Sequence, residues 1–248
     1  MARDNNVYRI SSDLQHATRL YHYNAAWQFD CLAQDSAGRL FAFASTDVTS
    51  PRSSHLIELD PVTGVVLSDT DISNVSPDGA ILSAAFGPDD TLYGVNRIGV
   101  SSVQGQQFMK IDPETGNAHV LGEFSPSGLY IAGMDFDSHG VPYGCGTLNS
   151  QATGIVRIDL DTLALQDIFA EQDVVPPQWA IAFDSNDQLV SGGLGRITKI
   201  DMPSGELRQV VRGIGISFTG MEFIIPEPSA IALGSVAVIA LAAFRRRK

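Results

Sequence analysis

The sequence predicts an all-β fold of the β-propeller class, with five four-stranded blades and one transmembrane helix at the C-terminal end. A unit of two hairpins recurs four times in the same order along the chain. Its turns carry Gly, Asp, Asn and Ser, which are residues that hairpin turns favour. Four strands in about 40 to 50 residues is the size of one propeller blade. A β-sandwich also has frequent strands and turns, but it does not account for two hairpins in a fixed order.

The first hairpin of each unit consists of an apolar strand, a polar turn and a second apolar strand. Its first strand is rich in small residues such as Ala84, Ala132 and Ala180. Small side chains suit strands that crowd round a propeller axis, so we expect these to be the innermost strands. The four copies read LAQDSAGRLFAF, AAFGPDDTLYGV, MDFDSHGVPYGC and IAFDSNDQLVSG.

The second hairpin of each unit is marked by an apolar residue followed by Asp. In the turns DPVTG, from Asp60, and DPETG, from Asp112, Pro presets φ and Gly accepts a positive φ. The four markers are Leu59-Asp60, Ile111-Asp112, Ile158-Asp159 and Ile200-Asp201.

The two ends of the chain supply parts of a further unit. VYRISSDLQHATRL, near the start, is similar to the second hairpin, and GISFTGMEFII, near residue 220, is similar to a first strand. A blade shared by both termini closes a propeller ring and leaves no sheet edge exposed there. We therefore expect five blades, with residues 7–10 in the same sheet as residues 218–224.

The repeats resemble those of β-propellers of the NHL, streptogramin-lyase and gluconolactonase kind. The likeness covers roughly residues 7–225 and rests on loose motifs. It implies the propeller fold but no particular activity, because one fold supports many functions.

Charge and cysteine content exclude some classes of function. The formal net charge is −12, and the four basic residues at the C-terminal end offset a still more acidic body. Such a body repels nucleic acid, which is bound through cationic contacts to phosphate, so no nucleic-acid partner is expected. Cys31 and Cys145 form no C-x-x-C pair, and we expect both to be free thiols in blades that do not adjoin.

The last 23 residues differ in character from the body, so the chain divides into a propeller domain, 1–225, and a C-terminal segment, 226–248. Residues 229–244 contain no charge and no Pro, and we expect a short transmembrane helix there. A basic cluster follows and would remain in the cytoplasm, which places the body on the far side of the membrane. The flanking motifs are Pro226, Glu227, Pro228 on one side and Arg245, Arg246, Arg247, Lys248 on the other.

This order of Pro-Glu-Pro, apolar segment and basic cluster resembles the PEP-CTERM sorting signal of Gram-negative bacteria. The resemblance implies processing by an exosortase, transient residence in the inner membrane, and delivery to the cell envelope, outer surface or medium. It also implies a link to exopolysaccharide and biofilm. Residues 1–30 contain no apolar run of the length that an export signal needs, so we expect an upstream start or a truncated copy.

Ligands of propellers are expected at one mouth of the central channel, on the loops that join strand two to three and blade to blade. These loops contain carboxylate, amide and cationic groups together with one aromatic ring, although solvated polar loops would look the same. The candidate ligand residues are Asp47, Asn96, Arg97, Asn149, Asp173 and Trp179. No motif for a catalytic base, a bound metal or another cofactor is recognised, so none is predicted.

Three functions remain open at this point. The first is an exported, non-enzymatic propeller that binds a ligand or forms matrix, with extracellular polysaccharide as a candidate partner. The second is a hydrolase or lyase of the lactonase type, with an oxygen-ligated metal in the channel mouth. The third is a propeller that is simply tail-anchored in a membrane. Convergence of three or more oxygen ligands would favour the second, and loss of the tail would favour the first over the third.

Overall fold

The computed structural model describes residues 6–10, 16–23, 27–46, 53–76, 79–98, 105–124, 129–148, 151–168, 178–202, 207–224 and 237–242. Three sheets of four antiparallel strands follow one another along the chain. The first sheet contains β3 (Trp27–Gln34), β4 (Leu40–Thr46), β5 (Ser54–Leu59) and β6 (Val66–Asp71). The second contains β7 (Ala80–Phe86), β8 (Leu92–Arg97), β9 (Gln106–Ile111) and β10 (Ala118–Glu123). The third contains β11 (Leu129–Phe136), β12 (Pro142–Leu148), β13 (Gln151–Ile158) and β14 (Leu165–Asp167).

A fourth sheet has six strands and brings the two ends of the chain together. Its strands are β15 (Gln178–Phe183), β16 (Leu189–Ile200), β17 (Leu207–Ile224), β18 (Ala237–Ala242), β1 (Asn6–Ile10) and β2 (Ala17–His22), in that order. The long strand β17 belongs to two parts of this sheet. Residues 207–217 pair with β16, and residues 218–224 pair with β18.

The strands predicted to be innermost form a closed ring. β3 contacts β7, β7 contacts β11, β11 contacts β15, β15 contacts β17, and β17 contacts β3. This arrangement is that of a propeller, as the repeats predict. The prediction of five separate blades is not confirmed, because the described strands form four hydrogen-bonded sheets. Residues 7–10 and 218–224 do share a sheet, with β18 between them.

The predicted transmembrane helix over 229–244 is not found in residues 237–242, the part of this segment that the structure describes. Residues 237–242 form strand β18, whose backbone pairs with β17 on one side and β1 on the other. The sequence AVIALA is small and apolar, and it suits an interior strand as well as a lipid-facing helix. None of the described residues forms a helix with the length and apolarity needed to cross a bilayer. Pro226, Glu227, Pro228 and the cluster Arg245, Arg246, Arg247, Lys248 lie outside the described residues.

Turn chemistry follows the predicted markers closely. Asp60 Oδ1 accepts hydrogen bonds from the N–H groups of Val62 and Thr63, at 2.9 and 2.7 Å. Gly64 then adopts a φ of 73°, which a side chain would strain. The hydrogen bonds from Thr63 are the main reason that the pKa of Asp60 lies below its ordinary value. Asp112 and Asp159 hold the corresponding turns of the next two sheets in the same way.

The hydrophobic core lies between neighbouring sheets. An aromatic residue near the start of a second strand contacts the last Phe of the next inner strand, and this pair recurs around the ring. The pairs are Phe41–Phe86, Tyr93–Phe136 and Tyr143–Phe183, with ring centroids 5.6, 5.2 and 5.3 Å apart. Cys31 and Cys145 lie in different parts of this core and are not joined by a disulfide, as predicted.

Candidate functional site

The structure describes the side chains of two of the six predicted ligand residues. Asn96 and Arg97 end β8, next to the start of β7. Arg97 is half-buried, but Asn96 is completely buried and is therefore not a solvated loop residue. Trp179 lies in β15, where only its backbone is described. Asp47, Asn149 and Asp173 lie outside the described residues.

The Asn96 side chain is buried within the second sheet and does not line an open channel mouth. Its Nδ2 donates a long hydrogen bond of 3.4 Å to Gln107 Oε1. Its Oδ1 is buried and has no hydrogen-bond partner among the described residues. A Cβ added to Gly79 would come within 2.5 Å of that oxygen. Glycine at position 79 therefore leaves the space that the Asn96 amide occupies.

A β-bulge recurs at one place in every inner strand. The pairing register of the inner strand shifts between Phe29 and Cys31, and equivalent shifts occur in the other four. In the first four inner strands the extra residue stands five positions before the first turn residue, so it occupies one level of the ring. The bulge residues are Asp30, Leu82, Ala132, Trp179 and Thr219. We call this set the bulge ring.

Three members of the bulge ring are slightly more exposed than their neighbours. Asp30, Leu82 and Ala132 are each 7% exposed, whereas the flanking Phe29 and Ile81 are 3% and 1% exposed. The inner strands β3, β7, β11 and β15 each pair on one edge only, so the other edge faces the middle of the ring. A bulge redirects a side chain out of the regular alternation. Asp30, Leu82 and Ala132 therefore occupy equivalent, slightly exposed positions in three neighbouring inner strands.

Asp30 is the charged member of the bulge ring, and the sequence analysis missed it. Its Oδ1 accepts a hydrogen bond from Gln28 Nε2, and its Oδ2 accepts one from Ser45 Oγ, both at 2.8 Å. These donors offset part of the cost of burying the carboxylate. The signal was a single acidic residue within the apolar strand WQFDCLA, because a buried polar residue is more informative than an exposed one.

Gln106 fixes the position of the third inner strand at this level. Its Nε2 donates to the carbonyl of Ile131 at 3.0 Å, and its Oε1 accepts the N–H of Ile131 at 2.7 Å. Ile131 directly precedes the bulge residue Ala132. The two bonds satisfy an inner edge that no neighbouring strand covers, and they tie the second sheet to the third.

A second buried carboxylate lies on an inner strand, nearer the hairpin turns than the bulge residues. Asp135 of β11 accepts the N–H of Phe183 in β15 at 2.6 Å and the N–H of Phe136 at 2.8 Å. Burial raises the pKa of Asp135 to about 7, although the two N–H groups oppose that shift. Asp135 therefore links two inner strands and titrates near neutrality.

The described residues contain no group of three or more His, Cys, Asp or Glu side chains that could hold a metal ion. Asp30 and Asp135 belong to different inner strands, and the donors named above already occupy their oxygens. Within the described part of the chain, the inner strands carry carboxylate acceptors beside apolar side chains.

Solved propeller structures are similar to this chain in fold. A TolB-like protein from Agrobacterium tumefaciens is 12% identical, with a TM-score of 0.54 over 97% of this chain and 99% of that chain. A gluconolactonase from Xanthomonas campestris is 13% identical, with a TM-score of 0.54 over 91% and 75% of the two chains. Regucalcin from A. tumefaciens, a calcium-binding protein, is 14% identical, with a TM-score of 0.52 over 94% and 81%. No family model and no curated protein matches the sequence. At these identities the similarity shows the propeller fold alone.

Proposed function

We propose that the protein is a binding propeller that holds a polar organic ligand, such as a segment of extracellular polysaccharide, at the bulge ring. The observation that carries this proposal is the recurrence of the bulge at one level of the inner strands. Bulges are over-represented beside binding and active sites, where they redirect side chains. A feature repeated in every inner strand gives each strand one side chain to present to a common ligand.

The chemistry of the five positions favours an organic ligand over a metal ion. The bulge ring contains one carboxylic acid, two apolar residues, one Trp and one Thr. A hard cation needs several oxygen ligands round one point, and a set with one carboxylate supplies few of them. A sugar offers hydroxyl groups that donate to a carboxylate and apolar faces that pack on apolar or aromatic side chains.

A lactonase-like hydrolase or lyase is the second candidate. Two buried carboxylates, Asp30 and Asp135, lie in the inner ring, and a gluconolactonase shares the fold. This function would need a third oxygen ligand that converges with one of them on a single metal ion. The two candidates differ in whether divalent cation binding depends on Asp30.

The test is a binding screen of the full-length protein against soluble oligosaccharides, with Ca²⁺ and Mg²⁺ titrated in parallel. We expect oligosaccharide binding that weakens at least about tenfold in Trp179→Ala and in Asp30→Asn. Asp89→Asn is the matched control, because it removes an acid from a hairpin turn at the opposite end of the sheet. Sugar binding that is unchanged in both variants contradicts the proposal. Cation binding that Asp30→Asn abolishes, together with lactone hydrolysis, favours the second candidate.

We further propose that residues 226–248 act as a PEP-CTERM sorting signal and that the protein is exported to the cell envelope or surface. The support is the order of Pro226-Glu227-Pro228, the uncharged segment and the basic cluster. In the unprocessed chain, residues 237–242 would then have two alternative uses, as strand β18 or as part of a membrane span. The two uses exclude each other, because one backbone segment cannot pair in the sheet and cross a bilayer at the same time.

We also infer that the ring of the unprocessed chain has five blades, with residues 218–224, β18, β1 and β2 as the fifth blade. The support is the register of β17, whose pairing passes from β16 to β18 at residues 217–218. The bulge at Thr219 gives this half-strand the same irregularity as the other inner strands.

A further inference from the structure

A serine, a histidine and two aspartates lie within contact distance of one another on the outer half of the first sheet. Ser53 Oγ lies 2.9 Å from His55 Nε2. His55 Nδ1 lies 3.1 Å from Asp69 Oδ1 and 3.2 Å from Asp71 Oδ1. We call these four residues the Ser53 cluster. It lies outside the bulge ring, and nothing in the proposed binding function uses it.

Strand pairing explains why these residues meet. His55 in β5 lies directly opposite Asp71 in β6, and Ile57 lies opposite Asp69. Side chains two positions apart share a face of a sheet, so Ser53, His55, Asp69 and Asp71 all project from one face. The imidazole is mostly buried, with its side chain 12% exposed, whereas Ser53 is only half-buried. The side chains of Asp69 and Asp71 are 34% and 84% exposed, so Ser53 and both carboxylates border solvent around the buried ring.

The two carboxylates determine which nitrogen of the His55 ring carries the proton. An ionised carboxylate only accepts hydrogen bonds, so Nδ1, which faces both carboxylates, must be the donor. Nε2 of the neutral ring is then the acceptor, and Ser53 Oγ–H donates to it. The positive charge that develops when Nε2 takes this proton is stabilised by Asp69 and Asp71. A nucleophile, a base and a group that orients the base thus stand in sequence.

We propose that Ser53 is an activated nucleophile that cleaves esters by acyl transfer. Ser53 Oγ attacks the ester carbonyl while His55 Nε2 takes the hydroxyl proton. The bond between the carbonyl carbon and the alcohol oxygen breaks, and the alcohol leaves with that proton. A water molecule then attacks the acyl-serine with His55 as base, which releases the carboxylic acid and restores Ser53. No oxidant, reductant or metal enters this balance.

The test treats the full-length protein with a fluorophosphonate probe, which forms a phosphorus–oxygen bond to an activated serine and releases fluoride. Peptide mass spectrometry then locates the label, and hydrolysis of p-nitrophenyl acetate gives a rate. We expect the label on Ser53 and its loss in Ser53→Ala. His55→Gln should lower the labelling rate about 100-fold or more, the usual contribution of a general base. Asp69→Asn/Asp71→Asn should also lower it, because the amides carry no negative charge to stabilise the protonated ring and can turn an N–H towards Nδ1.

Ser54→Ala is the matched control and should be labelled at the wild-type rate. Ser54 is the adjacent serine, it is buried, and strand alternation directs it to the opposite face. Thermal unfolding of every variant confirms that a lost label does not reflect a lost fold. A wild-type protein that the probe does not label overturns the proposal without any variant, and so does equal labelling of Ser53→Ala. Oligosaccharide binding at the bulge ring is measured separately, so either proposal can fail alone.

Discussion

The carboxylate of Asp187 accepts both hydrogen-bond donors of Ser138, which lies in the hairpin turn of the neighbouring sheet. Oδ1 accepts the Ser138 N–H at 2.8 Å, and Oδ2 accepts the hydroxyl at 2.6 Å. Asp90 accepts the same two groups of Ser36, at 2.9 and 2.5 Å. Both aspartates have a left-handed backbone, with φ near 57°. These bonds hold the pKa of Asp187 below its ordinary value.

The corresponding pair of positions between the second and third sheets contains neither Ser nor Asp. Pro88 stands at the Ser position and Gly140 at the Asp position. Proline has no N–H to donate, and a Cβ on Gly140 would lie 3.4 Å from Pro88 Cγ. The turns of the first and second sheets, and those of the third and fourth, are thus linked by hydrogen bonds. The turns of the second and third sheets pack closely instead. The turns therefore fasten neighbouring sheets to each other.

Removing the Asp187 side chain should weaken this fastening. Asp187→Gly keeps the left-handed backbone free of strain, and we expect the free energy of unfolding to fall by about 1 kcal/mol. Ser138→Ala should cost less, because the backbone N–H still donates. Chemical denaturation of both single variants and the double variant completes a cycle. Strictly additive losses would show that the two residues are not coupled.

The stability of the protein should depend on pH through Asp135. Burial gives this carboxyl a pKa of about 7 in the folded state, above its ordinary value of 3.8. The folded state therefore holds a proton that the unfolded state releases between these two values. Its contribution to stability is fully present below the lower value and falls as pH rises towards about 7. It should stay flat above that pH.

The measurement compares the free energy of unfolding of the wild type and Asp135→Asn across this pH range. The variant should lack the downward slope and should gain on the wild type as pH rises. Asp161→Asn, in an exposed turn, controls for the loss of one negative charge. Parallel curves for the wild type and Asp135→Asn would contradict the assignment.

Ser45 and Ser54 provide a matched pair for the Asp30 site. They are paired across β4 and β5, and both are buried. Ser45 donates to Asp30, whereas the Ser54 hydroxyl has no hydrogen-bond partner among the described residues. Ser45→Ala should lower the free energy of unfolding by roughly 1.5 to 3 kcal/mol, because a buried carboxylate loses a donor. Ser54→Ala should change it little, and equal losses in the two variants would contradict this account.

The N-terminal strands should contribute to closure of the ring. β1 pairs with β18, and β2 forms the outer edge of the six-stranded sheet. Arg9 also donates hydrogen bonds to the carbonyls of Pro61 and Val62, next to the first sheet. Deleting residues 1–22 should lower the thermal midpoint by several degrees and expose a strand edge. An unchanged midpoint would contradict a structural role for β1 and β2.

The sorting proposal predicts a specific response to changes at the Pro-Glu-Pro motif. Replacing Pro226, Glu227 and Pro228 by alanine keeps the apolar segment and the basic cluster. In a host with the matching exosortase and a supplied export signal, the wild type should be cleaved and released. The triple-alanine protein should keep its full mass and stay in the inner membrane. Identical mass and release of the two proteins would instead indicate a simple anchor.

The sequence by itself determined the features that depend on neighbouring residues. The alternation of apolar and polar residues defined the hairpins, and Asp60, Asp112 and Asp159 marked turns that the structure contains. Each such aspartate accepts hydrogen bonds from N–H groups two or three positions along the chain, so a few adjacent residues are enough to predict its role. The recurrence of these units predicted the propeller for the same reason.

Tertiary structure decided the features that depend on which strand lies beside which. A repeated bulge leaves Asp30 outside the regular alternation of β3, and β5–β6 pairing brings His55 to Asp69 and Asp71. AVIALA is apolar enough for a membrane helix, yet residues 237–242 pair between β17 and β1. Local sequence sets how a residue can bond, but partners tens of residues away set the register. Register is settled only when the sheets pack and their backbone groups must all be satisfied.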